Sequence, residues 1–351
     1  MAEFTYWETD RFPRITLVHQ VCADAVWASS GRHVLRKGSD GQWSGFCSFP
    51  LQWKQDFVSW IRPLARVTRA DKCNVFQNSN SHVLGIRSGT VYRMTSGEVA
   101  RIIDIQGDSV LQGCICEDSD GWTYLGEYFR NQERGPVRIH RFSPDLQHSE
   151  VAHEFGDNDI RHVHGVFADP YDADTLWVTS GDLEGECFLF RTSDRFRTIE
   201  RIGAGTQMWR AVKLHFTESH VNWITDSHLS QNYACRIRRD SEELEVGQTI
   251  PCSAWYGTQT SDGLFVSFTT VEPGPGIQSD HSAVLISEDA FHWQVAHEYR
   301  KDFWRPMSLF KFGVVSCAQG RMDSRQMYLS GEGLESFDGC SIVVRIERPT
   351  S

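Results

Sequence analysis

Thr175-Leu176-Trp177-Val178-Thr179-Ser180-Gly181-Asp182 is a short apolar run built on a large aromatic residue and closed by small residues and an acid. The same shape recurs along the chain. It appears before this stretch as Ala25-Val26-Trp27-Ala28-Ser29-Ser30-Gly31, His82-Val83-Leu84-Gly85-Ile86-Arg87-Ser88-Gly89 and Trp122-Thr123-Tyr124-Leu125-Gly126-Glu127-Tyr128. After it come Val221-Asn222-Trp223-Ile224-Thr225-Asp226-Ser227, Gly263-Leu264-Phe265-Val266-Ser267-Phe268-Thr269 and Gln326-Met327-Tyr328-Leu329-Ser330-Gly331-Glu332. Apolar runs of this length between turn residues read as buried β-strands. With Trp27, Leu84, Tyr124, Trp177, Trp223, Phe265 and Tyr328 as anchors, the intervals are 57, 40, 53, 46, 42 and 63 residues. Their mean, about 50, is the period of a four-stranded propeller blade. The expected fold is therefore all-β: one β-propeller over residues 1–351 with seven four-stranded antiparallel blades, or six if an uneven end unit is misread. Helical spacing is not sustained over three turns anywhere, and sandwiches and solenoids lack this period.

A propeller has to close, because an open sheet edge invites pairing with other chains. After Tyr328 only Ser341-Ile342-Val343-Val344-Arg345-Ile346 reads as a further strand, so the last blade is one strand short. Phe4-Thr5-Tyr6-Trp7 is placed to supply it, which predicts closure by an N-terminal strand near residues 4–9.

The chain carries 35 Lys and Arg against 46 Asp and Glu, a net charge of −11, with no block of like charges. That balance argues against nucleic-acid or anionic-membrane binding, which need concentrated basic residues. No apolar run reaches the length of a membrane span, and the acidic start of the chain is unlike a signal peptide. The expected location is cytoplasmic. Ten scattered cysteines, without a paired CxxC framework, read as reduced, mostly buried thiols.

Four segments continue the repeat into a hairpin: Ser39-Asp40-Gly41-Gln42-Trp43, Ser143-Pro144-Asp145-Leu146, Ser193-Asp194-Arg195-Phe196 and Ser287-Glu288-Asp289-Ala290-Phe291-His292-Trp293. They resemble the BNR or Asp-box hairpins of sialidase-like propellers, in degenerate form. There the Ser and Asp side chains tie up turn backbone groups and the Trp packs between blades. The resemblance implies a propeller and a carbohydrate-active or carbohydrate-binding role. Sialidase activity itself is not implied, since Arg11-Phe12-Pro13-Arg14-Ile15 departs from the Arg-Ile-Pro motif of those enzymes.

In a propeller, the ends of second strands and the starts of innermost strands meet on one face around the central funnel. Second-strand ends supply Glu127 and Tyr128, Asp182, Asp226 with His228, Thr270 with Glu272, and Glu332. Innermost-strand starts supply Arg161, His162 and His164, Gln207, Trp209 and Arg210, Trp255 and Tyr256, and Arg305. The third to fifth blades hold the densest part. The candidate catalytic set is His162, His164, Tyr128, Glu127, Arg210, Asp182 and Asp226. Arg161, Gln207, Trp209, Trp255, Tyr256, Glu272, Arg305 and Glu332 form the candidate substrate-binding set. Each has a plainer reading: the histidines as loop hydrogen-bonders, the aspartates as turn caps, Arg210 as an inter-blade ion pair, the tryptophans as core.

Three chemistries fit this set. A lyase would use Arg161 or Arg210 to neutralise a uronate carboxylate, a histidine to take the adjacent proton and Tyr128 to protonate the leaving oxygen, as the resemblance to propeller polysaccharide lyases implies. A glycoside hydrolase would use two of Glu127, Asp182, Asp226 and Glu332. A divalent cation, Ca²⁺, Mn²⁺ or Zn²⁺, would be held by His162, His164 and a carboxylate such as Asp182. The partner expected in each case is an oligo- or polysaccharide. The alternative is a non-catalytic propeller that binds glycan or protein through the same face. Alanine at His164 or Arg210 is expected to abolish turnover with the fold retained.

Overall fold

The structure is a computed structural model and describes residues 4–58, 61–108, 111–302, 307 and 312–348. Strands dominate it, and they form four-stranded antiparallel sets in chain order. Four sheets have four strands, a fifth has four plus the short Gln319–Gly320, and the largest divides into two sets of four, seven in all among the described residues. This is the blade pattern of a β-propeller. All seven anchors lie on the second strand of their set and all are buried.

The reason is visible in burial. Second strands such as Val83–Arg87 and Leu176–Ser180 are covered on both faces, whereas fourth strands such as Glu98–Asp104 and Glu200–Gly205 are largely open. A strand covered on both faces has to be a continuous apolar run, and that is the signal that recurs. The outer strands are instead held by charge. Arg141–Glu150, Arg191–Glu200 and Arg236–Glu245 join the third and fourth strands of three successive sheets, each at 2.6 Å. Being partly exposed, such pairs are each worth under about 1 kcal/mol.

The chain divides into two compact units. The first comprises residues 1–72, 228–231 and 250–351, and the second residues 73–227 and 232–249. In the first unit, Thr5–Phe12 runs antiparallel to Cys340–Glu347, from Thr5 opposite Glu347 to Phe12 opposite Ser341. Tyr6 stacks on His297 at 4.5 Å and its hydroxyl lies 2.6 Å from that of Tyr299. The long first interval is explained by an insertion holding two short helices, Trp53–Asp56 and Arg62–Thr68. Arg66, wholly buried, joins the second of these helices to Asp302 at 2.8 Å.

The hairpins between third and fourth strands use side chains as turn caps. Ser143 Oγ donates to Asp145 at 2.6 Å, Thr198 N to Asp194 at 2.9 Å, and Phe291 N and His292 N to Asp289 at 3.0 and 2.8 Å. In the Asp194 turn the hydroxyl comes from Thr192 rather than from the adjacent Ser193. None of the ten cysteines is bonded to another, and seven are buried. No helix among the described residues is long and apolar enough to cross a membrane.

Two histidines fix an acid limit to stability. Burial drives His19 down to about 3 and His215 well below the ordinary imidazole value. Both are neutral when folded, whereas the unfolded chain protonates them below about pH 6.5. The unfolded state then binds more protons, so stability falls as pH drops below 6.5. For His19 the loss is about 2 kcal/mol at pH 5. A urea midpoint measured at pH 7.5 and 5.0 should fall accordingly, and the fall should shrink in His19→Gln.

Candidate functional site

Three successive sheets of the second unit bring their connections together. The second strand of the third sheet, Thr123–Gly126, leads into Glu127, Tyr128 and Phe129. A Cβ on Gly126 would stand 2.3 Å from a Val163 methyl, so this strand can lie against the next sheet only because the side chain is missing. In the fourth sheet His162 immediately precedes the first strand, Val163–Ala168, His164 lies on it, and the second strand, Leu176–Ser180, leads to Asp182. In the fifth sheet Ala211 bridges to Thr225, which sets Arg210 beside Asp226.

Sequence alternation places His162 and His164 on one face, and the backbone reinforces this with a bulge. Register passes from Val163 opposite Ser180 to Gly165 opposite Thr179, leaving His164 as the extra residue. Bulges of this kind re-aim a side chain. His162 Nδ1 lies 2.7 Å from the Phe129 carbonyl oxygen, and His164 Nδ1 lies 3.1 Å from that of Ala211. A carbonyl oxygen only accepts, so each Nδ1 carries a proton, and a ring that holds no second proton leaves its Nε2 bare. Those two Nε2 atoms face each other at 2.9 Å. Two lone pairs at that distance call for a cation between them, either a second proton on one ring or a metal ion.

The third member is Asp182. Its carboxylate oxygens lie 3.5 Å from His162 Nε2 and 3.3 Å from His164 Nε2. Arg161 Nη1 reaches it at 2.6 Å and Arg210 Nη2 at 3.0 Å. Burial alone would raise the Asp182 carboxyl, but the two histidines outweigh it and hold the group well below the usual carboxylate range. His162 is itself lowered by burial, against the pull of Asp182. Asp182 is thus an anion at neutral pH inside a ring of nitrogen atoms. Tyr128 covers one side, with its ring 4.4 Å from His162 and 6.2 Å from His164.

The two arginines differ. Arg210 is buried and bonded on three sides, to Asp226 at 3.1 Å, to the Asp182 carbonyl at 3.1 Å and to the Asp182 carboxylate. Arg161 keeps 20% of its side chain exposed and donates through Nε to the Arg130 carbonyl at 2.9 Å.

The remaining candidates are placed otherwise. Glu127 is turned into the third sheet, where Gln106 N, Arg138 N and His140 Nε2 bind it at 2.9, 3.0 and 3.1 Å. These contacts outweigh the effect of burial and lower its pKa. Gln207 accepts from Ser227 Oγ at 2.8 Å and donates to the Asp182 carbonyl at 3.2 Å, as a brace beneath the site. Trp209 packs 5.6 Å from Trp223 in the core. Trp255, Tyr256, Glu272 and Glu332 belong to the first unit. There Trp255 meets Phe312 edge-on, Tyr256 packs on the core, Glu272 accepts from Ser253 Oγ at 2.5 Å and Glu332 pairs with Lys72. Arg305 lies outside the described residues. The carbonyls of Phe129 and Ala211, which orient the imidazoles, have no side-chain signature by which sequence could have revealed them.

Among the described residues, His162, His164 and Asp182 are the group of three whose ligand atoms are close enough to hold a metal ion. Imidazoles whose far nitrogen is hydrogen-bonded to a backbone carbonyl are the usual form of metal-ligating histidine. Three ligands leave positions open for a further ligand.

No family model matches the chain, and no curated protein matches it. Solved structures do. One, described as YCF48 bound to D1 peptide, aligns with 100% of this chain and 98% of its own at 11% identity and a TM-score of 0.55. An oligogalacturonate lyase in complex with manganese aligns over 99% of both chains at 11% identity, TM-score 0.56. The GH74 xyloglucanase of Xanthomonas campestris aligns with 83% of this chain and 46% of its own at 12% identity, TM-score 0.55. At these identities the likeness carries the fold alone, and that fold is the β-propeller.

Proposed function

We propose that the chain is a carbohydrate-active β-propeller whose reaction centre is a divalent cation held by His162 Nε2, His164 Nε2 and Asp182. The observation that carries the reading is the pair of facing Nε2 atoms 2.9 Å apart, each ring fixed by a carbonyl behind it. Ligands at about 2.1 Å from one ion stand roughly 3.0–3.4 Å apart, and the separations here of 2.9, 3.3 and 3.5 Å fall around that range. Two imidazoles favour Zn²⁺ or Mn²⁺ over Ca²⁺, which prefers an all-oxygen shell. When bound, the ion would polarise a substrate oxygen as a Lewis acid.

This chain's own residues divide the remaining work. Tyr128 is the proton-transferring group beside the ion, and Arg210 holds the Asp182 carboxylate in place. Lyase chemistry fits better than a two-carboxylate hydrolase. A glycosidase acid needs a raised pKa, and the carboxyls of Glu127 and Asp182 are both lowered. A sugar substrate is supported by the Asp-box-like turns and by the carbohydrate-active enzymes among the structural neighbours.

Calorimetry on metal-stripped protein should show one Zn²⁺ or Mn²⁺ per chain. His164→Ala should weaken that binding by about 100-fold or more. A glycan screen should then read new reducing ends, with an ultraviolet rise from an unsaturated uronate marking the lyase. Saturable glycan binding without product would assign the face to recognition instead, and absence of metal binding would remove the cation from the mechanism.

A further inference from the structure

We infer that Arg134 and Glu186 are positioning residues for this centre, their ion pair clasping the segment that orients His162 to the segment that carries Asp182. What the pair does for metal affinity rests on the cation reading, and what it does for the His162 ring does not.

Residues 127–136 connect the second and third strands of the third sheet, and from Phe129 onward they lie outside any strand pairing. Yet Phe129 presents its carbonyl oxygen to His162 Nδ1 at 2.7 Å. Asn131 and Arg134 fold the stretch back on itself. Both have positive φ, 29° and 54°, which residues other than glycine keep only where their surroundings hold them. Asn131 accepts from Gly135 N at 2.9 Å and donates to the carbonyls of Gly135 and Arg161, each at 2.8 Å. Arg134 Nη1 donates to the carbonyls of Asn131 and Gln132 at 3.0 and 3.2 Å.

The rest of the Arg134 guanidinium reaches into the fourth sheet. Nε donates to Glu186 Oε1 at 2.6 Å and Nη2 to Oε2 at 3.1 Å, the two parallel bonds of a bidentate pair. Glu186 ends the connection 181–186, the one that holds Asp182. The two side chains are only 17% and 22% exposed, so solvent and salt screen the pair less than one at the surface. A planar fork fixes orientation as well as distance. One ion pair therefore sets where the Phe129 carbonyl stands relative to Asp182. Neither residue is among the three candidate ligands, so both act through the segments they join. His164 is oriented from elsewhere, by the Ala211 carbonyl, and is independent of the clasp.

The test compares wild type with Arg134→Gln, Glu186→Gln and the double variant. Mn²⁺ affinity by calorimetry should fall about 10-fold in each single variant, as when a ligand loses its outer support. The double variant should fall no further, because the two side chains act as one unit. Arg134→Lys, which keeps the charge without the fork, should recover only part of the loss. Nuclear magnetic resonance of the metal-free protein, with nitrogen-labelled histidine, reads the positioning directly. The Nδ1 protons of His162 and His164 should both be protected from exchange in wild type, and Glu186→Gln should expose that of His162 alone. Mn²⁺ affinity unchanged in Glu186→Gln, a His162 proton that stays protected, or loss of both protons together overturns the inference and leaves the metal centre standing. If wild type binds no Mn²⁺, the cation reading fails and the resonances decide: loss confined to His162 upholds the clasp, and any other pattern overturns it.

Discussion

Arg210→Ala is expected to destabilise the second unit by about 3–5 kcal/mol and to abolish the proposed activity at the same time. The guanidinium is enclosed with Asp226 and with the Asp182 carboxylate and carbonyl, at 3.0–3.1 Å. Removing it takes the shared cation from Asp226 and from Asp182, which keeps Arg161, in a place too dry for solvent to substitute. The loss therefore comes from the stranded acids more than from the vanished arginine. This alters the meaning of the substitution. From sequence Arg210 is either a substrate-facing cation whose loss leaves the fold intact or an ion pair between blades, and its buried pairing with Asp182 of the preceding sheet is of the second kind, a brace for the site. Chemical denaturation gives the stability, and Arg210→Met combined with Asp226→Leu should regain part of it, because removing both members of a buried pair avoids the unpaired charge. Activity should stay absent in that double variant. An Arg210→Ala protein of unchanged denaturation midpoint would show that the ion pairs are not closed in solution.

Deleting residues 1–12 should cost about 5 kcal/mol and make the protein aggregate. The strand Thr5–Phe12 pairs with Ser341 to Glu347 of the neighbouring strand, and each ladder hydrogen bond is worth about 1 kcal/mol net. Its removal also bares Val343, Val344 and Ile346, a flat apolar edge that templates pairing with other chains. Thermal unfolding and size-exclusion chromatography measure the two effects. Moving residues 4–12 to the C-terminus behind a flexible linker should restore stability, since the pairing and not the position in the chain is what matters. A truncated protein that stays monomeric with an unchanged melting temperature would show that the pairing contributes little.

Much of this architecture is legible in the amino-acid sequence. The anchors from Trp27 to Tyr328 mark second strands because those strands are covered on both faces, and full burial leaves a continuous apolar run. The insertion at 53–68 was not readable. Its helices are two turns or less and show too little of a 3.6-residue period to stand out. The histidine pair was visible from its spacing and from its place before a strand, as was Asp182 from its place after one.

Sequence by itself determined the repeat, the strand each anchor occupies and the residue types that gather at the ends of the third to fifth sheets. Tertiary structure decided which of them act together. Glu127, Asp182 and Asp226 occupy equivalent repeat positions, yet His140 and two backbone amides hold the first, Arg210 holds the last, and only Asp182 meets the histidines. The bulge at His164 and the carbonyls of Phe129 and Ala211 make that choice. A repeat specifies position along the chain, whereas hydrogen-bond partners are set by ångström-scale differences between sheets that share the same pattern.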